Sequence, residues 1–393
     1  MTSEEEALAA VLAKVSVLPP RKALLLDSLG RFAAHDVFAS QPLPAFDNSA
    51  MDGYAVQAQS CRAGAKLHLV GEQPAGPDRG LTIGPGEAIR IFTGAPLPGG
   101  ADAVLMQEDA TCAGERVVPQ CGVEPGEFVR RKGSDLAGGQ KIIARGERLA
   151  AQTLALLASQ GIAEIEIGAM PRVAIVATGN EFAQPGDTPG AGQIFESNSL
   201  MLHALALVAG AEVKMVERAP DLLDRLIEIL RRGLEGDVLM VSGGVSVGDH
   251  DLVKPALRTL GAEIDLWRVA LKPGKPFLFG RAGGCYIFGL PGNPVSAFVT
   301  FLKFVRPALH KIAGAAEEYF GLRKVTARLK GEAMNDGDRP HYLRGVLRDG
   351  VFNVTGRQES HALFGLSRAN ALLRLGPGEK LPKGTSVTVE IWD

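Results

Sequence analysis

The chain has 393 residues, of which 46% are hydrophobic and 22% are charged, and its formal net charge is −2. Single hydrophobic cores stop growing beyond about 250–300 residues, so the length alone predicts several domains. The near-neutral charge excludes a general electrostatic field that would attract nucleic acid or an acidic membrane surface. We therefore expect neither a nucleic-acid partner nor a membrane partner.

The N-terminus and the cysteines predict a cytoplasmic location. Three glutamates at positions 4–6 stand where a secretory signal would carry positive charge before an apolar run. The longest apolar stretches fall well short of the roughly 20 residues that span a bilayer. The four cysteines show no CxxC spacing, which favours reduced structural thiols over a zinc site or a catalytic cysteine.

The chain opens with a predicted amphipathic helix and continues into a β-rich region. Ser3 and Glu6 form a capping-box pattern, and apolar residues recur at helical spacing up to Val15. Between residues 41 and 135, short apolar runs alternate with glycine and proline clusters, which predicts a small β-rich domain. Its predicted strands are 67–70, 87–92, 103–106 and 115–118.

Helix and strand patterns alternate in the middle of the chain. A helix is predicted at 149–160, ended by Gly161, and an alternating strand follows at 162–167. The patterns beyond it predict an α/β unit with a mostly parallel sheet. The predicted strands are 173–177, 238–241, 276–279 and 286–290. Two predicted helices begin near Asn198 and Leu252, and a third spans 295–309.

Short alternating strands return after Gly314 and predict a C-terminal β-barrel or β-sandwich. These predicted strands are 324–329, 351–354, 371–375 and 387–391. The fold class expected for the whole chain is therefore a multi-domain arrangement of α/β and β parts.

Three loops that follow predicted buried strands concentrate glycine and polar residues. They are TGNE at 178–181, SGGVSVGDHD at 242–251 and PGNPVS at 291–296. Open α/β sheets bind ligands at the carboxyl ends of their strands, and glycines let backbone amides approach an anion. The loops therefore predict a phosphate-bearing ligand. Asn293 before Pro294 is equally well explained as a helix N-cap with proline in the first turn.

Lysines and acids add further candidate site residues. Lys272 and Lys275 lie on a proline turn and suit an oxyanion, although surface lysines are usually only solvated. The segment 46–55 is dense in polar groups, which indicates either a site or an Asx turn that leads into a strand.

Five acids offer the oxygen ligands that Mg²⁺ prefers beside phosphate. They are Asp52, Asp135, Glu181, Asp249 and Asp251.

Several motifs occur together in one order along nearly the whole chain. They are PAFDNSAMDGYAV at 44–56, FTGAPLPGGAD at 92–102, RRKGSDL at 130–136, ATGNE at 177–181, SGGVSVGDHD at 242–251, KPGKPF at 272–277 and GLPGNPVSAF at 289–298. Together they resemble the molybdopterin molybdenumtransferase family of the MoeA type, which is similar to the E domain of gephyrin. The resemblance implies a homodimer of four-domain subunits. The implied domains are a discontinuous helical domain (1–45 and 136–168), an inserted β-rich domain (46–135), a molybdopterin-binding α/β domain (169–316) and a C-terminal β domain (317–393).

The resemblance also implies an activity, which is insertion of molybdate into adenylyl-molybdopterin with release of AMP and with Mg²⁺ as the metal. The site would be shared between two subunits. Implied catalytic residues are Asp52, Thr93, Asp135, Glu181 and Asp249, and implied metal ligands are Glu181, Asp249 and Asp251. Implied cofactor-binding and substrate-binding residues are Ser242, Gly243, Gly244, Lys272, Lys275, Pro291, Asn293, Ser296, Arg344 and Ser360. Implied partners are a molybdopterin adenylyltransferase and a molybdoenzyme.

Two places depart from the family pattern. Arg218 and Ala219 stand where relatives often carry an acidic pair, which disfavours a metal contact there. Glu359 stands where relatives often have glycine, and its charge is predicted to weaken or alter oxyanion preference beside Ser360.

Two alternative functions stay open. The α/β unit also resembles a related adenylylating domain, so the chain is alternatively a nucleotidyltransferase that acts on a pterin or on the finished cofactor. The likeness to gephyrin permits a non-catalytic scaffold. The MDGYA and KPGKP segments favour molybdate insertion over nucleotidyl transfer, and the retained acids favour an enzyme over a scaffold.

Overall fold

The computed structural model describes residues 1–184, 186–244 and 252–392. The chain divides into two compact units. The larger unit comprises Met1–His35, Arg145–Leu154 and Ala163–Asp393, and the smaller unit comprises Asp36–Ala144 and Ala155–Ile162. The four-domain division implied by the resemblance stays a prediction.

The smaller unit is built on a six-stranded sheet. In spatial order its strands are Ala103–Met106, Gly53–Val56, Glu87–Ile91, Leu67–Gln73, Arg116–Pro119 and Ala110–Ala113. Successive residues of one strand, Ala55 and Val56, belong to different apolar clusters, so both faces of the sheet are covered. Strands of two or three residues add the pairs Val37–Phe38 with Lys141–Ile143 and Asn48–Ser49 with Val129–Arg130. The prediction of a β-rich region is confirmed, although Gly53–Val56 and Ala110–Ala113 were not among the predicted strands.

The larger unit contains a second six-stranded sheet. Its spatial order is Glu212–Ala219, Arg172–Thr178, Val238–Ser242, Cys285–Leu290, Pro276–Ala282 and Glu263–Arg268. The first four strands run parallel and the last two are added antiparallel, so the prediction of a mostly parallel sheet is confirmed. Alternate residues such as Ile175 and Val176 belong to separate apolar clusters, one on each side of the sheet. Its helices include Asn198–Val208, Leu223–Gly233 and Val253–Thr259.

The helix predicted at 295–309 is divided into three parts. It runs as Pro294–Thr300, a π-helical turn Phe301–Val305, and Arg306–Ile312. Pro307 lacks the N–H that would bond the Lys303 carbonyl, and its ring crowds that carbonyl. The wider π turn, which ends two residues before Pro307, accommodates this local conflict.

The C-terminal strands close into a barrel, so the alternative of a sandwich is wrong. The barrel strands are Arg323–Leu329, Val351–Val354, His341–Arg348, Ala371–Leu375 and Ser386–Ile391. Tyr342 packs into the apolar cluster of the α/β sheet, whereas Leu343 packs inside the barrel. The strand His341–Arg348 therefore faces two cores at once.

The N-terminal and connecting elements match their predictions closely. The first helix is Glu4–Lys14, and both hydrogen bonds of the Ser3–Glu6 capping box are present. A later helix, Ala151–Ser159, ends before Gly161, whose φ of 76° is the left-handed conformation expected there. Strand Glu164–Ile167 pairs with Arg21–Leu24. No helix in the described part of the chain is long and apolar enough to cross a membrane.

Candidate active site

A cavity of about 800 Å³ lies at the carboxyl ends of the parallel strands in the larger unit. The ends of Arg172–Thr178 and Val238–Ser242 and the loop after Cys285–Leu290 form its wall. This is the edge at which open α/β sheets bind ligands. The structure brings together seven of the predicted site residues here. They are Glu181, Ser242, Gly243, Gly244, Pro291, Asn293 and Ser296.

The double-glycine turn has a backbone that other residues could not adopt without strain. Gly243 and Gly244 have φ values of 90° and 61°. A Cβ on Gly243 would lie 2.7 Å from the Thr178 carbonyl oxygen, and one on Gly244 would lie 2.7 Å from a methyl carbon of Val253. The Thr178 hydroxyl is buried and has no hydrogen-bond partner among the described residues. Only glycine fits this turn, which lines the cavity with half-buried backbone beside a buried hydroxyl that has no partner among the described residues.

Asn198 connects two of the cavity loops and was missed by the sequence analysis as a site residue. Its side chain is buried, and Nδ2 donates to the Ser242 hydroxyl oxygen at 3.0 Å and to the Gly292 carbonyl at 2.7 Å. The only sequence signal was its place at the start of a predicted helix. Other cavity residues that were not predicted are Glu196, Ser197, Asp221, Pro276 and His361.

The loop before Pro294–Thr300 does not use Asn293 as a side-chain cap. Asn293 occupies the N-cap position, as the N-cap interpretation predicted, but its side chain makes no capping hydrogen bond in the described structure. Pro294 does occupy the first turn, as predicted. The exposed Asn293 amide lines the cavity and is available to a ligand.

Arg344 is a fully buried cation whose guanidinium is only partly satisfied. Its Nη2 donates to the Glu359 carbonyl at 3.3 Å, whereas Nε and Nη1 have no hydrogen-bond partner within the described residues. Burial lowers the pKa of Arg344 from its ordinary value, and the Glu359 charge opposes that shift. The Ser360 carbonyl accepts from the Val295 N–H at 3.1 Å, which links this loop to the helix beside the cavity. Free guanidinium donors in a buried setting suit an oxyanion.

The KPGKP loop is hydrogen-bonded to the strand that carries Arg344. The Lys272 N–H donates to the Pro340 carbonyl at 2.9 Å, and the Tyr342 N–H donates to the Lys272 carbonyl at 2.8 Å. Lys275 is exposed, and Pro276 after it lines the cavity. Backbone bonding therefore places Lys272 beside the Arg344 strand, although the two are distant in sequence.

Three predicted site residues lie in the smaller unit. The Thr93 N–H and hydroxyl both donate to one carboxylate oxygen of Asp52, at 2.7 and 2.8 Å. These bonds lower the pKa of Asp52 because they stabilise its ionised form. Asp135 is exposed, and its backbone N–H donates to the Leu43 carbonyl at 3.0 Å.

The predicted metal ligands are only partly covered by the structure. Asp249 and Asp251 lie outside the described residues, whereas Glu181 lines the cavity. Among residues 1–184, 186–244 and 252–392, no three His, Cys, Asp or Glu side chains group as a metal site. At the first family departure, Arg218 donates to the Ala183 carbonyl at 3.2 Å, and Asp221, the later acid of that stretch, lines the cavity.

Comparison with known proteins identifies the family. The MoeA N-terminal region (domain I and II) matches residues 2–161, a probable molybdopterin binding domain matches 174–311, and the MoeA C-terminal region (domain IV) matches 326–392. A molybdopterin molybdenumtransferase of Nostoc sp. is 36% identical over 364 residues, with 89% of this chain and 83% of that protein covered. The chain belongs to the molybdopterin molybdenumtransferase family. The resemblance found in the sequence motifs is thereby confirmed, as is the expectation of an enzyme.

Further molybdopterin molybdenumtransferase relatives match over most of their length. Molybdopterin molybdenumtransferase 2 of Mycobacterium tuberculosis is 35% identical, with 94% of each chain covered. A molybdopterin biosynthesis MoeA protein from Pyrococcus horikoshii superposes with a TM-score of 0.84 at 30% identity, over 100% of this chain and 99% of that chain. The expected fold class is therefore confirmed.

Proposed function

We propose that this chain inserts molybdate into adenylyl-molybdopterin and releases AMP in molybdenum cofactor biosynthesis. The observation that carries the proposal is the cavity at the strand carboxyl ends, most of whose lining residues belong to the segment matched by the probable molybdopterin binding domain. Its double-glycine turn lines the cavity with backbone beside the buried Thr178 hydroxyl. A phosphate group can approach such a backbone without meeting side chains.

The reaction divides between two groups of residues. Ser242, Gly243 and Gly244, with Pro291 and Asn293, would hold the pterin and its phosphate while water attacks phosphorus and AMP leaves. Hydrolysis of the phosphoanhydride leaves the dithiolene sulfurs unchanged, and these soft ligands are suited to molybdenum.

Molybdate would be held by a basic group beside the pterin site. The two guanidinium donors of Arg344 that lack a protein acceptor in the described structure match an oxyanion in charge and hydrogen bonding. Its proposed ligands are Lys272, Lys275, Ser296, Arg344 and Ser360. Glu359 contributes its backbone carbonyl to Arg344, and its negative charge remains a predicted modifier of oxyanion preference.

The proposal includes a homodimer in which Asp52, Thr93 and Asp135 of a second copy complete the site. An apolar surface on the helix Asn198–Val208 supports association, because Leu200 and Leu207 are 75% and 51% exposed. Light scattering on a Leu200→Glu, Leu207→Glu double variant tests this. Dimers that persist in the variant would rule out this face as the contact.

Mg²⁺ is the proposed metal, with Glu181, Asp249 and Asp251 as ligands. Carboxylate oxygens are the ligands that Mg²⁺ prefers, and Glu181 reaches the cavity. The described residues alone do not complete a ligand set, so the proposal depends on the two aspartates of the 245–251 segment. AMP release that is equally fast with chelator and with Mg²⁺ would exclude this metal.

The cellular setting is also proposed. Four free cysteine thiols fit a reducing, cytoplasmic compartment. A molybdopterin adenylyltransferase would supply the substrate, and a molybdoenzyme would accept the product.

The deciding experiment is anaerobic incubation of purified protein with adenylyl-molybdopterin, Mg²⁺ and molybdate. AMP release and dithiolene-bound molybdenum are followed together in the wild type, in Asp52→Ala and in a control, Asp78→Ala. Asp78 is an exposed acid of the same unit whose carboxylate only caps its own turn at Gly80. The proposal expects both products from the wild type and the control, and neither from Asp52→Ala. An adenylate that binds but stays intact with molybdate and tungstate alike would favour the scaffold or the nucleotidyltransferase.

A further inference from the structure

We propose that the N-terminal segment Thr2–Glu4 positions the two sides of the oxyanion subsite, namely the KPGKP loop and the strand that carries Arg344. Thr2 and Glu4 are positioning residues in this proposal, since neither is proposed to contact the substrate. The inference rests on the proposed function, because it assumes that Lys272 and Arg344 hold molybdate.

The first side is fixed by backbone hydrogen bonds of Thr2. The Thr2 N–H donates to the Arg268 carbonyl at 3.3 Å, and the Ala270 N–H donates to the Thr2 carbonyl at 2.8 Å. The next residue after Ala270 is the fully buried Leu271, and Lys272 follows it directly. The N-terminal segment therefore sets the path of the chain that enters the KPGKP loop.

The second side is fixed by the Glu4 side chain. Glu4 is only 6% exposed, and its Oε1 accepts a hydrogen bond from the Tyr342 hydroxyl at 2.6 Å. Burial, with the nearby Glu4 charge, raises the pKa of Tyr342, so its hydroxyl stays protonated and continues to donate. Tyr342 and Arg344 lie two residues apart on one strand and therefore share a face. A shift of the Tyr342 ring would move that face and Arg344 with it.

The two sides meet at Tyr342. Its N–H donates to the Lys272 carbonyl at 2.8 Å while its hydroxyl holds Glu4. One residue thus joins the N-terminal helix, the KPGKP loop and the Arg344 strand.

The Glu4 carboxylate is held by cations, which makes its position definite. Lys303 lies 3.1 Å from Glu4 and 3.0 Å from Glu390, and its Nζ stands 4.8 Å from the centre of the Tyr342 ring. Arg374 lies 3.4 Å from the other Glu4 oxygen. A buried charge pair of this kind is weak evidence for stability, but it does define a single geometry.

Neighbouring glutamates show that Glu4 is distinct from an ordinary first-turn acid. The side chain of Glu5 is 71% exposed and lies 3.2 Å from Nη2 of Arg374. Glu6 is engaged in the capping box with Ser3. Any of the three acids would interact equally well with the positive end of the helix dipole. The dipole therefore does not explain why Glu4 in particular is buried against Tyr342.

The test is calorimetric titration of molybdate into the folded full chain in the presence of saturating AMP, with AMP titrated separately. The variants are Glu4→Ala, Tyr342→Phe, the conservative Glu4→Gln, and Glu5→Ala as the matched control. We expect Glu4→Ala and Tyr342→Phe to raise the molybdate Kd by about tenfold, with AMP affinity unchanged. Glu4→Gln keeps an acceptor oxygen for Tyr342 and should recover most of the affinity, and Glu5→Ala should match the wild type.

The outcomes separate positioning from stability and from the proposed function. Thermal melts confirm that each titrated variant is folded, and Tyr342→Phe keeps the test valid if Glu4→Ala does not fold. Unchanged molybdate affinity in folded variants, or an equal loss of AMP affinity, would overturn the positioning role alone. A wild type that binds AMP but no molybdate would refute the oxyanion assignment itself, and this inference with it.

Discussion

Asn198 gives the sharpest test of how the cavity is held together. Replacing it with alanine removes the Nδ2 hydrogen bonds to Ser242 at 3.0 Å and to Gly292 at 2.7 Å. Ser242 is only 3% exposed, so its lost partner costs about 1–2 kcal/mol. Gly292 is exposed, and water can replace the bond to its carbonyl, which adds about 0.5–1 kcal/mol.

The expected total for Asn198→Ala is therefore about 1.5–3 kcal/mol of lost stability. In a unit of this size that corresponds to a drop of about 5 °C in Tm. AMP affinity should also fall, by about tenfold, because the two loops no longer hold their relative position. Differential scanning calorimetry and AMP titration measure the two effects on the same preparation.

Asn293→Ala is the matched control for this prediction. Both asparagines line the cavity, but the Asn293 side chain is exposed and makes no capping bond in the described structure. Its loss should leave Tm within about 1–2 °C of the wild type while it weakens substrate binding. An Asn198→Ala protein with wild-type Tm and wild-type AMP affinity would refute the reasoning.

Three further predictions address the turn, the acid of the smaller unit and acid stability. Gly244→Ala should lower stability by about 2 kcal/mol and abolish AMP binding, since a Cβ would lie 2.7 Å from Val253; calorimetry showing neither change would contradict this. Asp52→Asn should slow AMP release by about 100-fold with an unchanged Tm, whereas a wild-type rate would remove Asp52 from the catalytic set. Burial lowers the pKa of His310 to about 4, so the unfolded chain binds more protons between that pH and its ordinary pKa of about 6.5. The free energy of unfolding should therefore fall by up to about 3 kcal/mol as the pH drops through that window. Denaturant titrations of His310→Gln should show a smaller fall. An unchanged pH slope in the variant would contradict the assignment of the effect to His310.

The sequence carries local information well, and the elements set by local patterns were predicted. The capping box of the first helix lies within four residues, and the strand Val351–Val354 is a short apolar run with the predicted bounds. The strand Glu212–Ala219 was not predicted, because its sequence does not show the pattern of a buried parallel strand. Glu212–Ala219 is an edge strand that alternates polar residues and is mostly half-buried, so it lacks the continuous apolar run typical of a parallel strand.

For the candidate site, too, the features that were predicted are those with a local sequence pattern. Glycine-rich loops after buried strands predicted the cavity, because the position of each loop after a buried strand is readable from the sequence. The motifs also determined the family, since their order along the chain is more specific than any single loop. Ser242, Gly243 and Gly244 were found in this way, and the structure places them together.

Tertiary structure alone decided which polar groups are buried and what they contact. The sequence indicates only that Asn198 begins a helix, yet its side chain donates hydrogen bonds to Ser242 and Gly292, which lie 44 and 94 residues away. The sequence places Glu4 among three consecutive acids of a first helical turn, yet its side chain is buried against Tyr342, which lies 338 residues away. A polar side chain can be buried only where partners compensate for lost water. When those partners come from distant segments, no local pattern records them, and only the folded chain brings them within hydrogen-bond distance.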